Sequence, residues 1–170
     1  KKLILIGIGS NLSGGGYKTS VDVCEAALSA LADKGITVLR HSQWFESEPV
    51  PVSEQPWFIN GVASVETPLS AVDLLSCLHE IEDSFGRIRR QRNEARILDL
   101  DLLAFGSDII EIPNGPIVPH PRLHERAFVL LPLQEIAQDW RHPSTGRSIA
   151  ALVGELSSGQ NIRPLKPAGG

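Results

Sequence analysis

Asp99 and Asp101 stand one residue apart in the apolar stretch "EARILDLDLLAFG", residues 94–106. In a strand, residues i and i+2 share a face. Leu98, Leu100 and Leu102 then point into a core, and the two carboxylates point the other way, about 6.6 Å apart at the backbone. At an effective dielectric of about 20 they repel by roughly 2.5 kcal/mol. Nothing in sheet formation asks for that cost. A divalent cation removes it, and Mg²⁺ is commonly held by one or two carboxylates plus substrate phosphates. Paired ions about 3.5–4 Å apart are also compatible with this spacing. A solvated strand face with two ordinary aspartates would read the same way, because D-x-D is short and common.

Just upstream, "GRIRRQRNEAR" (86–96) holds Arg87, Arg89, Arg90, Arg92 and Arg96, five of the chain's eleven arginines. Guanidinium forks grip phosphate oxygens, and a metal bridges others, so this juxtaposition suits a nucleoside triphosphate. A solvated charge run offsetting Glu80, Glu82 and Asp83 is the other reading of the cluster. Glycine-rich phosphate loops are absent. "GGGYKTS" (14–20) lacks the glycine before lysine, and "GIGSNL" (7–12) has Leu12 at the third glycine position. Both read as plain turns.

The elements that must position these groups follow from periodicity. Residues 3–8 read as a buried strand broken by Gly9, Ser10 and Asn11. Residues 20–33 carry apolar side chains at helical spacing, with Gly35 as a stop. Residues 36–45 read as one strand, 46–56 as a proline-rich loop and 57–66 as another strand. Thr67 and Pro68 predict a capped helix start. That helix has Ala71, Leu74, Leu75, Leu78 and Ile81 on one stripe and ends near Gly86. A loop of about ten residues leads to the strand at 98–105, by the same periodicity. The order is β-α-β-β-α-β, a ferredoxin-like α+β unit whose antiparallel sheet has helices packed on it. A C-terminal extension follows, with an extended 117–125, an apolar 127–137 and a short helix near 148–156.

The 170 residues suit a single domain. A net charge of −4 argues against a general nucleic-acid binder. Cys24 and Cys77 have no metal-type spacing, which points to a reduced, cytoplasmic setting. No apolar run reaches the ~18 residues of a membrane span. His120 and His124 have i,i+4 spacing, but Pro121 argues against a helical zinc site.

Five stretches occur in an order that resembles one family. They are "GSNL" (9–12), S-x-P…Q-P-x-F-x-N (47–60), "IEDSFGRIR" (81–89), "ARILDLDLL" (95–103) and "VPHPRLHERAFVLLPLQEIA" (118–137). Together they are similar to the 6-hydroxymethyl-7,8-dihydropterin pyrophosphokinases of folate biosynthesis. The resemblance implies transfer of the β,γ-diphosphate of ATP to the pterin hydroxymethyl group, leaving AMP. It implies two Mg²⁺ ions held by Asp99 and Asp101, and a monomer acting on small molecules only. The pterin would lie between Phe58 and Phe128, with Asn60 on its polar edge and Ser47, Val50 and Asp99 nearby. A flat heterocycle does want two aromatic faces and a few fixed polar partners. From spacing alone, Phe58 and Phe128 could equally be core residues and Asn60 a strand-edge residue. On the ATP side the match points to His79, Glu82, Arg87, Arg89, Arg96, His120 and Arg126, with Arg89 and Arg96 as the catalytic arginines. Asn93-Glu94-Ala95 stand where many members have Trp-Gly-Pro. Glu48 stands where proline occurs, Pro51 where glycine is common, and His79 where glutamine occurs.

Overall fold

The computed structural model describes residues 2–11, 19–48, 57–86 and 97–165. The chain forms β1 (Ile4–Ser10), α1 (Ser20–Asp33), β2 (Thr37–His41), β3 (Phe45–Ser47), β4 (Phe58–Glu66), α2 (Ala71–Phe85) and β5 (Asp99–Phe105). The C-terminal part adds β6 (Ile110–Glu111), β7 (Ile117–Val118), a 3₁₀ turn (Leu123–Glu125), α3 (Ala127–Ile136), α4 (Ile149–Gly154) and β8 (Ile162–Pro164).

The main sheet is antiparallel in the order β5-β1-β4-β3-β8, with β2 also pairing β4, and β6 and β7 form a separate pair. The predicted βαββαβ order is therefore present, with two differences. The strand expected over 36–45 is split into β2 and β3. Between them the Ser42 hydroxyl accepts from the Val62 N–H at 3.0 Å, and Trp44 lays its ring on Gly61. A side chain thus occupies a ladder position and interrupts the run. Second, β1 does not stop at Gly9. It continues to Ser10 because Gly9 is paired on both sides, with Asn60 of β4 and Asp99 of β5.

The second helix begins later than the Thr67-Pro68 signal predicts. The Thr67 hydroxyl accepts from Leu69 N–H in a local turn, and Ser70 is the cap, its hydroxyl accepting from Asp73 N–H at 3.1 Å. Thr19 caps α1 in the same way.

Each sheet face has its own core. Ile4, Ile6, Ile8, Leu100 and Leu102 meet Cys24, Ala27 and Leu31 of α1 and Leu74, Leu78 and Ile81 of α2. Leu5, Val62, Leu103 and Ala104 meet Leu130 and Leu133 of α3 and Ile149 and Leu152 of α4. Truncating any such leucine to alanine is expected to cost about 2–5 kcal/mol. The helices α3 and α4 cover only part of their face. The remainder is where the site lies.

Candidate active site

The uncovered part of the sheet is floored by alternate residues of four strands. Strand pairing sets Gly9 between Asn60 and Asp99, and Gly7 between Val62 and Asp101. Phe45 pairs with Asn60, and Ser47 with Phe58. Partners across a ladder share a face, so Asp99, Asp101, Asn60, Phe58 and Ser47 all face one side. This answers why a core strand carries two like charges. Leu98, Leu100 and Leu102 are buried on the other side, at 1%, 3% and 5% exposure.

Above this floor is a cavity of about 600 Å³, lined by Gly7, Gly9, Ser47, Phe58, Asn60, Asp99 and Asp101 on the sheet side. Arg126 and Phe128, at the start of α3, line it from the other side. Such a volume suits a small-molecule substrate. Gly9 keeps the floor low. A Cβ there would come within 3.0 Å of Asn60 Oδ1. Asn60 is itself fixed, its Nδ2 donating to Ser47 Oγ at 2.8 Å.

The charged wall is built on β5 and the turn before α3. Arg126 Nη1 lies 3.9 Å from Asp101 Oδ2, and its guanidinium sits 5.2 Å from the centre of the Phe128 ring. Burial pushes the Arg126 pKa down, and the Asp101 charge works in the opposite sense; a guanidinium is basic enough to stay cationic. His120 is anchored beside β5 by its backbone N–H, which donates to Leu103 C=O at 2.9 Å. Its Nδ1 accepts from the Arg122 backbone N–H at 3.1 Å. That bond leaves the ring proton on Nε2. Burial lowers the His120 pKa, Asp101 works in the opposite sense, and Arg126 and Arg122 lower it further. The imidazole is therefore neutral at pH 7 and can donate from Nε2.

Two aspartates without further protein ligands are a poor zinc site. Among the described residues, no group of three or more His, Cys, Asp and Glu side chains could cage a metal. The donor set does fit Mg²⁺, which keeps waters and takes substrate phosphate oxygens into its shell.

The sequence-derived residues fall into three groups. Ser47, Phe58, Asn60, Asp99, Asp101, Arg126 and Phe128 meet at the cavity, and His120 stands beside it. His79 is exposed on α2 and does not line the cavity. Glu82 turns toward β5, where Oε2 accepts from Leu100 N–H at 2.8 Å. Val50, Arg87, Arg89 and Arg96, with Pro51 and the Asn93-Glu94-Ala95 stretch, lie outside the described residues. Sequence reading missed the floor glycines Gly7 and Gly9, although G-x-G inside an apolar strand was a visible signal. It also missed Gln160 and Asn161, which line the cavity from a segment with no local signature.

Comparison with known proteins decides the family. Residues 5–138 match the model of the 7,8-dihydro-6-hydroxymethylpterin-pyrophosphokinase family. The chain belongs to this family. A 2-amino-4-hydroxy-6-hydroxymethyldihydropteridine pyrophosphokinase of Haemophilus influenzae is 38% identical over 159 residues, covering 93% of this chain and 95% of that protein. The enzyme of the same name from Pseudomonas aeruginosa is 38% identical, covering 88% of this chain and 89% of its own. The folic acid synthesis protein fol1 of Pneumocystis carinii is 39% identical across 96% of this chain, which spans only 21% of that longer protein. The Plasmodium falciparum HPPK-DHPS structure shares the fold. Its TM-score is 0.68 at 14% identity, covering 91% of this chain and 41% of the Plasmodium chain. The activity of this pyrophosphokinase family is diphosphate transfer to 6-hydroxymethyl-7,8-dihydropterin in folate synthesis, and it is the activity of this chain.

Proposed function

We propose that the cavity holds the dihydropterin between Phe58 and Phe128 and that its acidic wall receives the triphosphate of ATP. The observation that supports this most is the sharing of one 600 Å³ cavity by two aromatic rings, a buried asparagine and a carboxylate pair. The Asn60 amide and the Ser47 hydroxyl form a preorganised polar edge, already hydrogen-bonded to each other. Such an edge discriminates among flat heterocycles, because a ligand without matching groups leaves buried polar atoms unpaired.

Asp99 and Asp101 would hold Mg²⁺, two ions by the family resemblance. When bound, the metal would neutralise triphosphate charge and lower the proton affinity of the pterin hydroxyl. The other tasks fall to the chain. Arg126, held between Asp101 and the Phe128 face, would present a fixed cation to a phosphate oxygen. His120 would add a neutral donor from Nε2. Preorganised donors of this kind act where charge develops and need no rearrangement during reaction. By the family resemblance, Arg89 and Arg96 would also contact the phosphates.

The test is to follow AMP formed from ATP, Mg²⁺ and hydroxymethyldihydropterin, with and without the pterin. AMP and the pterin diphosphate should appear in equal amounts. ADP as product, or AMP release indifferent to the pterin, would sink this reading.

A further inference from the structure

The cavity has a third wall that the family match does not cover. Residues 139–165 lie beyond the matched 5–138, yet Ser157, Gln160, Asn161 and Ile162 line the cavity. This segment is sewn to both other walls. Its strand β8 pairs with β3, the Glu48 N–H donates to Asn161 C=O at 2.9 Å, and Asn161 Nδ2 donates to Glu48 Oε1 at 3.2 Å. Gly159, at φ +96°, turns the chain just before Gln160, a conformation that side chains rarely adopt.

Gln160 reaches the opposite wall. Its Oε1 accepts from the Ala127 N–H at 2.9 Å, and its Nε2 donates to Glu125 C=O at 3.1 Å. Those two backbone groups flank Arg126 on either side. Arg126 occupies the cap position of α3 and makes no side-chain capping bond of its own. A helix start needs such an acceptor, since its first N–H groups have no intrahelical partner. Gln160 supplies it from 33 residues away. A third bond, from Nε2 to Ser157 Oγ at 3.3 Å, fixes the amide itself.

We propose that Gln160 is a positioning residue for substrate binding: it caps α3 in trans and so fixes Arg126 against Asp101 and Phe128 against the pterin face. The inference rests on the reading of the cavity as the pterin site. Freed from Gln160, the first turn of α3 can shift, and the Phe128 ring shifts with it. The ring must stay parallel to a ligand held from below by Phe58, so a small rotation weakens binding.

The experiment compares wild type, Gln160→Met, Gln160→Glu and Phe128→Ala in the full chain. Pterin affinity is read by fluorescence titration, and KM and kcat from AMP formation. Methionine keeps the length of glutamine and removes both hydrogen bonds to the Arg126 peptides. Pterin Kd and KM should rise about tenfold, as for loss of one or two net hydrogen bonds. Glutamate keeps an acceptor for Ala127 N–H but loses the donor to Glu125 C=O, so it should recover part of the affinity. A merely structural role would lower kcat per total protein through a smaller folded fraction and leave pterin Kd and KM unchanged. That result for Gln160→Met overturns the proposal. Should that variant fail to fold, an unchanged pterin Kd in Gln160→Glu overturns it equally. Phe128→Ala separates the two levels. If it binds pterin like wild type, the cavity reading is at fault. If it loses pterin while the Gln160 variants keep it, only the role of Gln160 fails.

Discussion

Arg126 Nη1 and Asp101 Oδ2 face each other across 3.9 Å, one from the cap of α3 and one from the edge strand β5. The distance is that of a loose ion pair, and the Asp101 side chain remains 42% exposed. Such a carboxylate contributes little to stability. Its value lies in what it can bind, since an anion or a metal ion can enter between the two partners.

Asp101→Ala should therefore leave the fold intact and lower kcat by at least about 10²-fold, the loss typical of one electrostatic contact to the transition state. Circular dichroism and the thermal midpoint check the fold, and AMP formation over a Mg²⁺ titration checks the loss. Wild-type turnover in this variant would remove the aspartate pair from the chemistry.

Gly9→Ala should raise the pterin KM by about tenfold, because the added methyl competes with a hydrogen-bonding atom. The methyl would meet Asn60 Oδ1 at 3.0 Å, so Asn60 must give by a few tenths of an ångström, which disturbs an amide held by its 2.8 Å bond to Ser47 Oγ. Gly7→Ala should cost less, since the atoms nearest its methyl would be Leu103 side-chain carbons at 3.5 Å, an ordinary contact. Steady-state kinetics for the pair tests the contrast, and equal effects would argue against the Asn60 clash.

Glu82→Ala should destabilise the protein by about 1.5–3 kcal/mol, the worth of a hydrogen bond to a charged group. Its carboxylate takes the Leu100 N–H, at 2.8 Å, on the open side of β5 between the two aspartates. Among the described residues no strand pairs with β5 on that side, so the sheet leaves that group to a side chain. Glu82→Gln retains an oxygen acceptor and should recover part of the loss in urea unfolding. Identical midpoints for all three proteins would contradict this role.

Stability should decline as pH falls through about 6.5, the ordinary histidine value. Burial lowers the pKa of both His120 and His142. For His142 the nearby His124 adds to the lowering, their rings meeting edge to face at 6.3 Å. A lowered folded value means that the unfolded chain binds the proton first. The contribution is complete above pH 6.5 and is lost as pH falls toward the folded values. Thermal midpoints between pH 8 and 5 should show the decline. It should be shallower in His142→Asn, whose side-chain oxygen can still accept from the Ser144 N–H. An unchanged slope would remove His142 from the linkage.

Much of the architecture was legible because its signals are local. The stripe on α2 and the alternation of Leu98, Leu100 and Leu102 with the aspartates each reflect one element burying one face, and both hold in the fold. The helix starts three residues beyond the Thr67-Pro68 signal, since Thr67 and Ser70 can both cap and only the chain path selects Ser70. The strand break at Ser42 was invisible, because it depends on a hydroxyl meeting a backbone group 20 residues away.

Residue order alone carried the family resemblance, the carboxylate pair on one strand face, and the expectation that Phe58, Phe128 and Asn60 meet a pterin. The carboxylate pair follows from the two-residue period of a strand, while the family and the pterin-facing residues follow from the resemblance carried by the five motifs. Only the tertiary structure decided that β1 supplies a glycine floor, that α3 begins where Arg126 meets Asp101, and that Gln160 completes that beginning. Each of these joins residues far apart in the chain. Their encounter depends on strand order and helix docking, which no local pattern encodes.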